Sequence, residues 1–235
     1  MLNTANDLVV KVEAIRPEDI RAYDIAWALH HINRFGGHSP VPWDVLSHTG
    51  LAYMLYVQDV KGQTEVPFSL ALLLHDAAEA YVGDMVWPLK HTVMADQFRQ
   101  LEAHVLDVIY QRFNVPQEPL GPIDWDKVAR YDKQAAAIEF HQLFPKLRGT
   151  QYAPPLVYDM SKYPVLIKGK VEDYITLLKH ISINHGVEDV SALFSLSDSL
   201  RPYLTAEIEE AEATAEQGTV DIDIRETRSV EDLRV

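Results

Sequence analysis

The sequence predicts an all-α fold, and three observations support this prediction. Apolar residues recur at the three- and four-residue spacing of a helix in successive segments of the chain. The segments are separated by stretches rich in glycine and proline, which interrupt helices. The apolar share, 47% of 235 residues, is ample for a core. We therefore expect a helical bundle with a C-terminal helical extension and an acidic tail.

The N-terminal part should hold an arm and two helices. Residues 1–16 mix polar and β-branched positions, which suits a short strand or an arm. Pro17 and the two acids after it are expected to open the first helix, which should end near Asn33 before the loop RFGGHSP. Pro42 is expected to start the second helix, PWDVLSHTGLAYMLYVQDV.

The central stretch is SLALLLHDAAEAYVGDMVWPLK, residues 69–90. Its five apolar residues before His75 predict a helix buried on most of its circumference, and we expect the helix to continue through Asp76 and Glu79. Carboxylates on such a helix are costly unless they are paired or bind a cation. The spacing puts the imidazole and both carboxylates in one sector, which predicts a metal site. The alternative is a helix whose second half simply turns polar at the surface.

The rest of the chain predicts further helices. A fourth should span residues 91–113, and Asp124 should cap a fifth that ends near Phe144. A long loop punctuated by prolines comes next, and it could form a lid or an edge of the site. Helical spacing then returns in three segments, residues 171–181, 187–200 and 201–217. We expect one domain, residues 1–205 with a core of about 17–145, and a partly disordered tail, residues 206–235.

Composition excludes several classes of function. The net charge is −14, and from Thr205 onward ten acids face three bases, so no nucleic-acid partner is expected. No window approaches the roughly 20 apolar residues of a membrane span, and the N-terminus lacks a secretory pattern. With no cysteine, any metal must bind through histidines and carboxylates. We expect a cytoplasmic protein, in the host cytoplasm if a phage encodes it.

Two more polar residues fall where the helical period turns them inward. His48 shares the face of Val45 and Leu51, and Asp132 is in register with Val128 and Ala135. A single histidine on an apolar face is more often a core residue with its hydrogen bonds satisfied, and a single aspartate is usually solvated. The case for ligands strengthens because His48, His75-Asp76 and Asp132 follow one another in order on three predicted helices.

That order, H…HD…D, resembles the HD superfamily of metal-dependent phosphohydrolases. The segments INRFGGH, HDAAEAYVGDMVWPLK and YDKQAAAIE are similar to two of its groups, the bacterial 5′-deoxynucleotidases and the phage-type HD dATP triphosphohydrolases. The resemblance covers about residues 20–145. It implies an HD-domain helical bundle that assembles as a homo-oligomer.

The resemblance also implies roles for individual residues. The divalent ion would be held by four ligands, His48, His75, Asp76 and Asp132. Glu79 and Asp84 would be catalytic, with Glu79 acting on the attacking water or helping to bind a second ion. Substrate would contact Arg34, Phe35, His38 and Lys90, where Phe35 replaces a tryptophan of the bacterial 5′-nucleotidases. Arg34 and Lys90 also have plain interpretations, as a surface charge of a loop and a solvated lysine at a helix end.

The expected activity is hydrolysis of 2′-deoxynucleotides that releases the nucleoside. The segments NRFGGH and HDAAEAYVGD resemble the phage-type enzymes more than the 5′-deoxynucleotidases, which implies dATP or another triphosphate as substrate, and a 5′-monophosphate is the alternative. Two further hypotheses are a phosphohydrolase that acts on a cyclic nucleotide or an alarmone, and a nucleotide-binding protein without catalysis. Nitrogen and oxygen ligands leave the ion open among Zn, Co, Mn, Ni, Fe and Mg.

Overall fold

The computed structural model describes residues 1–86, 88–92, 95–117, 122–156 and 166–205. The all-α prediction is confirmed, because the regular elements of the described residues are helices apart from one two-stranded sheet. The chain forms two compact units, residues 1–195 and 196–235. In the second unit, residues 201–205 are helical. The predicted boundary after residue 205 stays a prediction, since residues 206–235 lie outside the described part of the chain.

The N-terminal arm is a small hairpin. Strands β1 (Leu2–Asn3) and β2 (Val9–Val10) pair in antiparallel fashion. The backbone N–H of Asn6 donates a hydrogen bond of 2.7 Å to Oδ1 of Asp24, which is buried. This bond ties the arm to the first long helix.

The predicted start of the first helix is wrong. Residues Pro17–Asp19 form a separate 3-10 turn, and helix α1 covers only Ala22–His31. The turn closes on itself because the Asp19 carboxylate accepts from the backbone and side chain of Arg16. Ile20 then takes an extended conformation (φ −87°, ψ 130°), which separates the turn from the helix.

Helix α2 (Val45–Asp59) begins later than the expected Pro42. Its N-cap is Asp44, whose carboxylate accepts a hydrogen bond of 2.7 Å from the backbone N–H of Ser47. The loop before it is closed at its base, where the backbone N–H of Arg34 donates to the carbonyl of Trp43 (2.8 Å). The capping carboxylate of Asp44, and not Pro42, therefore sets the start of the helix.

The central stretch is not one helix, contrary to the prediction. Helix α3 (Val66–Leu73) ends before His75, and residues 74–78 form a tight turn that leads into the short helix α4 (Glu79–Val82). In this turn, backbone hydrogen bonds join residues three apart instead of the four apart of an α-helix. For example, the Glu79 N–H donates to the Asp76 carbonyl at 3.0 Å. The apolar run itself is buried on all sides, as expected.

Four more helices follow in the described part of the first unit: α5 (Ala95–Arg112), α6 (Trp125–Leu143), α7 (Val171–Asn184) and α8 (Val190–Leu193). The predicted N-cap of α6 is confirmed, because Asp124 accepts from the backbone N–H of Lys127 (3.0 Å). The helix predicted over residues 187–200 is much shorter, and the Ser195 hydroxyl bonds back to the Ala192 carbonyl (2.8 Å) where it ends.

Helices α2 and α6 pack along each other, and α7 covers α1 and α3. The core between them is apolar, with buried side chains such as Leu55, Leu70 and Ile138. Within the described residues, no helix combines the length and the apolar character that crossing a membrane requires. The packing of α2 against α6 brings His48 together with Asp132 and Glu139, close to Asp76 in the turn after α3.

Candidate metal centre

His48 lies in the first turn of α2 and is completely buried. Its Nδ1 is 2.8 Å from Oε1 of Glu139, and its Nε2 is 3.1 Å from Oδ1 of Asp132. Both carboxylates belong to α6, the helix that packs along α2. His48 is therefore held at both ring nitrogens by acids from one neighbouring helix.

His75 lies in the turn after α3, and its ring is fixed by its own backbone. Its Nδ1 is 2.7 Å from the carbonyl oxygen of Leu72. Since a carbonyl only accepts, Nδ1 carries the proton and the lone pair of Nε2 is free in the neutral ring. Nε2 is buried and faces Oδ2 of Asp76 at 3.2 Å. A buried nitrogen with a free lone pair is what a metal ligand offers.

The ligand atoms of His48, His75 and Asp132 lie within 4.8 Å of one another. Oδ2 of Asp76, the fourth predicted ligand, is 3.2 Å from Nε2 of His75 and 3.6 Å from Nε2 of His48. Tetrahedral bonds of about 2.0–2.1 Å put neighbouring donors about 3.4 Å apart. Two imidazoles and nearby carboxylates at such separations fit a divalent ion. The cluster could therefore hold a metal.

The charges of the cluster also suit a cation. Burial and Arg34 act to lower the pKa of His48, but Glu139 and Asp132 outweigh them and raise it to about 10. Burial acts to raise the pKa of Asp76, but His75, His48 and Arg34 lower it strongly. The acids thus draw positive charge into the cluster, and without a metal the imidazoles supply it as protons. A metal that binds here would displace those protons.

Glu79 and Asp84 lie beyond the turn, on the same side as Lys90. Glu79 is almost fully buried, and the ammonium of Lys90 is 3.7 Å from its Oε1 and 4.0 Å from Oδ1 of Asp84. Burial raises the pKa of Glu79 to about 9, with Asp76 and Asp84 contributing and Lys90 opposing. The structure therefore groups the two predicted catalytic acids around one predicted substrate cation.

Arg34 reaches the cluster from the loop before α2. Its Nε donates to Oε2 of Glu139 (3.0 Å), and its Nη1 is 4.0 Å from Oδ2 of Asp76. The ring of Phe35 packs edge-on against Phe144 at 5.2 Å between centroids. His38 is exposed. Of the predicted substrate residues, Arg34 and Lys90 thus contact acids of the site, while Phe35 contacts the end of α6.

The loop that carries Arg34 has an unusual backbone. Phe35 and Gly36 both have positive φ (58° and 61°), a conformation that suits glycine and strains a phenylalanine. A side chain at Gly36 would meet Cγ1 of Val86 at 3.2 Å, so this loop lies against the segment after Asp84. At Gly37 an added Cβ would meet nothing within 4 Å.

Glu139 was not among the residues predicted from the sequence. It is fully buried and bonds to both His48 and Arg34. A signal was present, because Glu139 follows Asp132 by seven residues, two helical turns, and so shares its face. Two cations of the following loop, Lys146 and Arg148, are exposed, and Nε of Arg148 donates to the carbonyl of His141.

Comparison with known proteins adds relatives but no activity. No family profile matches the chain. An uncharacterised protein of Escherichia coli, YfdR, is 30% identical over 113 residues, 48% of this chain and 58% of that protein. An uncharacterised protein of Rhodobacter capsulatus, RCAP_rcc00048, is 30% identical over 129 residues, 54% of this chain and 64% of that protein. The chain therefore spans less than two thirds of either relative.

The geometry by itself supports a coarser conclusion. The chain has a helical fold compatible with an HD-like fold and a His48–His75–Asp132 cluster that could bind a metal ion. Such a cluster is compatible with a metal-dependent enzyme.

Proposed function

We propose that this protein is a divalent-metal-dependent phosphohydrolase of the HD type that acts on 2′-deoxynucleotides, prefers triphosphates and releases the deoxynucleoside. The observation that carries the proposal is the His48–His75–Asp132 cluster, next to Asp76 and within reach of the Arg34 guanidinium. A cation site with a fixed cation beside it suits an anionic substrate that bridges the two.

His48, His75, Asp76 and Asp132 would hold the ion. When bound, a divalent ion lowers the pKa of water and offsets charge on a phosphoryl oxygen. Arg34 would bind a phosphate oxygen through its terminal nitrogens. Its Nε is occupied by Glu139, whereas its Nη1 lies 4.0 Å from Oδ2 of Asp76, beside the proposed ion. Arginine suits this role because its fork of donors matches phosphate oxygens.

Glu79 would handle the proton of the chemical step. It is buried, and its Oε2 makes no hydrogen bond among the described residues, so that oxygen has no competing partner. Lys90, 3.7 Å from the other oxygen, would keep the carboxyl group in place and offset charge on the substrate. Asp84, at 4.0 Å, would help to orient Lys90.

Hydrolysis of 5′-monophosphates is the second candidate, and one observation favours it. Arg34 and Lys90 contact the acids of the site, whereas Arg148 is engaged with His141 and Lys146 is exposed. Two cations beside one ion suit a single phosphate, while a triphosphate carries more charge to neutralise.

A substrate panel tests the proposal. Chelator-treated protein would be supplied with one divalent ion at a time and offered deoxy- and ribonucleoside mono-, di- and triphosphates, with phosphate, pyrophosphate and triphosphate release measured separately. We expect triphosphate release from deoxynucleoside triphosphates that depends on the ion and is lost in Asp132→Ala. Phosphate release from monophosphates alone would favour the second candidate. No release from any nucleotide would refute hydrolysis.

A further inference from the structure

Glu139 joins the two parts of the site that the proposed function keeps separate. One carboxylate oxygen, Oε1, is 2.8 Å from Nδ1 of His48, and the other, Oε2, is 3.0 Å from Nε of Arg34. The partners come from distant parts of the chain, 91 and 105 residues away. Glu139 itself is fully buried, so solvent cannot replace either contact.

We propose that Glu139 is a positioning residue that couples metal binding to phosphate binding, by orienting His48 with one oxygen and Arg34 with the other. The identity of the phosphate ligand rests on the proposed function. The coupling itself concerns only the contacts of Glu139 and does not require turnover.

The His48 contact selects the tautomer that a metal needs. An ionised carboxylate only accepts, so Nδ1 must carry the proton, and Nε2 is then the atom left for an ion. Nε2 is the nitrogen that lies 3.1 Å from Asp132 and 3.6 Å from Asp76. Outer carboxylates of this kind typically change metal affinity about 10–100-fold when removed.

The Arg34 contact orients the guanidinium. Nε is a donor in every protonation state that arginine takes in proteins, and its bond to Glu139 leaves the two terminal nitrogens for other partners. Nη1 is the one that approaches Asp76, at 4.0 Å. The side chain of Arg34 is only 15% exposed, so the 3.0 Å bond to Glu139 fixes a largely buried guanidinium in this position.

The two partners hydrogen-bonded to Glu139, His48 and Arg34, are both donors, and the indole N–H of Trp43 is a further donor near the carboxylate; this makes the coupling testable. Only a carboxylate offers two acceptor oxygens, whereas the amide of glutamine offers one acceptor and one donor. In Glu139→Gln one neighbour must therefore face an N–H group. If the amide oxygen faces Arg34, His48 is forced into the wrong tautomer. If it faces His48, Arg34 is displaced.

Removal of Arg34 resolves that conflict. In the double variant Arg34→Met/Glu139→Gln, the amide oxygen is free to accept from His48, so metal affinity should recover although the carboxylate is still missing. A role of Glu139 in stability alone predicts no such recovery. Arg34→Met by itself should not weaken metal binding, because it removes a positive charge near the ion.

The experiment measures two affinities without substrate turnover. Co²⁺ is titrated into chelator-treated protein by calorimetry, and inorganic phosphate is titrated into the Co²⁺-loaded protein and followed by the cobalt absorption bands. The variants are Glu139→Ala, Glu139→Gln, Arg34→Met and the double variant. Asp126→Asn, an exposed carboxylate in the first turn of the same helix, is the matched control. Melting temperature and circular dichroism check that each variant is folded.

We expect Glu139→Ala to weaken Co²⁺ binding about 10–100-fold. Glu139→Gln should weaken the binding of Co²⁺, of phosphate or of both about 10-fold. The double variant should bind Co²⁺ within about threefold of Arg34→Met, and Asp126→Asn should match the wild type. Unchanged affinities in both Glu139 variants, or a double variant as weak as Glu139→Ala, would overturn the proposal.

Arg34→Met keeps the test decisive if a Glu139 variant does not fold. It should weaken phosphate binding about 10-fold with Co²⁺ binding unchanged or tighter. A Co²⁺ affinity about 10-fold weaker in this variant would overturn the division of roles. Because neither titration needs hydrolysis, failure of the nucleotide panel would refute the proposed function and leave this test intact.

Discussion

Asp76 is the predicted ligand that most needs a direct test. Its Oδ2 is 3.2 Å and 3.6 Å from the two imidazole nitrogens that would face the ion, yet the tight cluster of donors is complete with three other residues, His48, His75 and Asp132. The informative change is Asp76→Ala, which removes the carboxylate.

The size of the effect follows from binding linkage. An ion present at 100 times its dissociation constant stabilises the wild type by about 2.7 kcal/mol. For a chain of this length that raises the melting temperature by about 5–11 °C. Loss of a direct ligand should weaken binding at least about 100-fold, the upper end of the effect of outer residues. The same ion concentration then stabilises the variant by about 0.4 kcal/mol, or about 1–2 °C.

The assay is thermal unfolding of chelator-treated protein with and without each divalent ion. Asp126→Ala is the control, because it removes an exposed carboxylate from α6 and should keep the full shift. Asp76→Ala should unfold cooperatively and lose nearly all of the shift. A shift equal to that of the wild type would show that Asp76 is not a ligand, and the cluster would then have three protein ligands.

Three further predictions concern catalysis, substrate and the loop. Glu79→Gln should lower the hydrolysis rate about 10²–10⁴-fold and keep the ion-induced shift in melting temperature; loss of that shift would instead make Glu79 a ligand. Truncation of Arg34 or Lys90 to methionine should cost about 1.5–3 kcal/mol in substrate binding, more for a triphosphate than for a monophosphate and less at high salt. Equal losses, measured as KM ratios, would favour a monophosphate substrate. Gly36→Ala should raise KM more than Gly37→Ala, because both have positive φ (61° and 76°) but only Gly36 would bring a Cβ to 3.2 Å from a neighbouring side chain. Identical kinetics in the two variants would contradict this.

The sequence by itself determined the fold class and the candidate ligands. Helical periodicity is a local property, so the apolar faces of α2 and α6 could be read directly, and with them the inward direction of His48 and Asp132. The N-cap Asp124 was likewise readable, because a cap depends on residues three apart. The order of the histidines and aspartates then indicated that distant helices share one cluster.

Only the tertiary structure decided how the helices begin and break. The sequence does not distinguish a helix that continues through His75 from one that ends at Leu73 and turns, because both keep the same residues buried. Pro17 and Pro42 are good first residues of a helix in isolation. Here the bonds of Arg16 with Asp19 and of Ser47 with Asp44 moved both starts along the chain; these bonds are local, but the sequence alone does not decide whether they or the prolines set the start.

Glu139 shows most clearly what the sequence alone does not specify. Its position on the face of Asp132 was visible, but its role depends on contacts with residues 91 and 105 positions away in the chain. A buried carboxylate is favourable only where donors meet both of its oxygens. Packing of α6 against α2 and against the loop of Arg34 brings those donors together, and no local pattern of the chain specifies that arrangement.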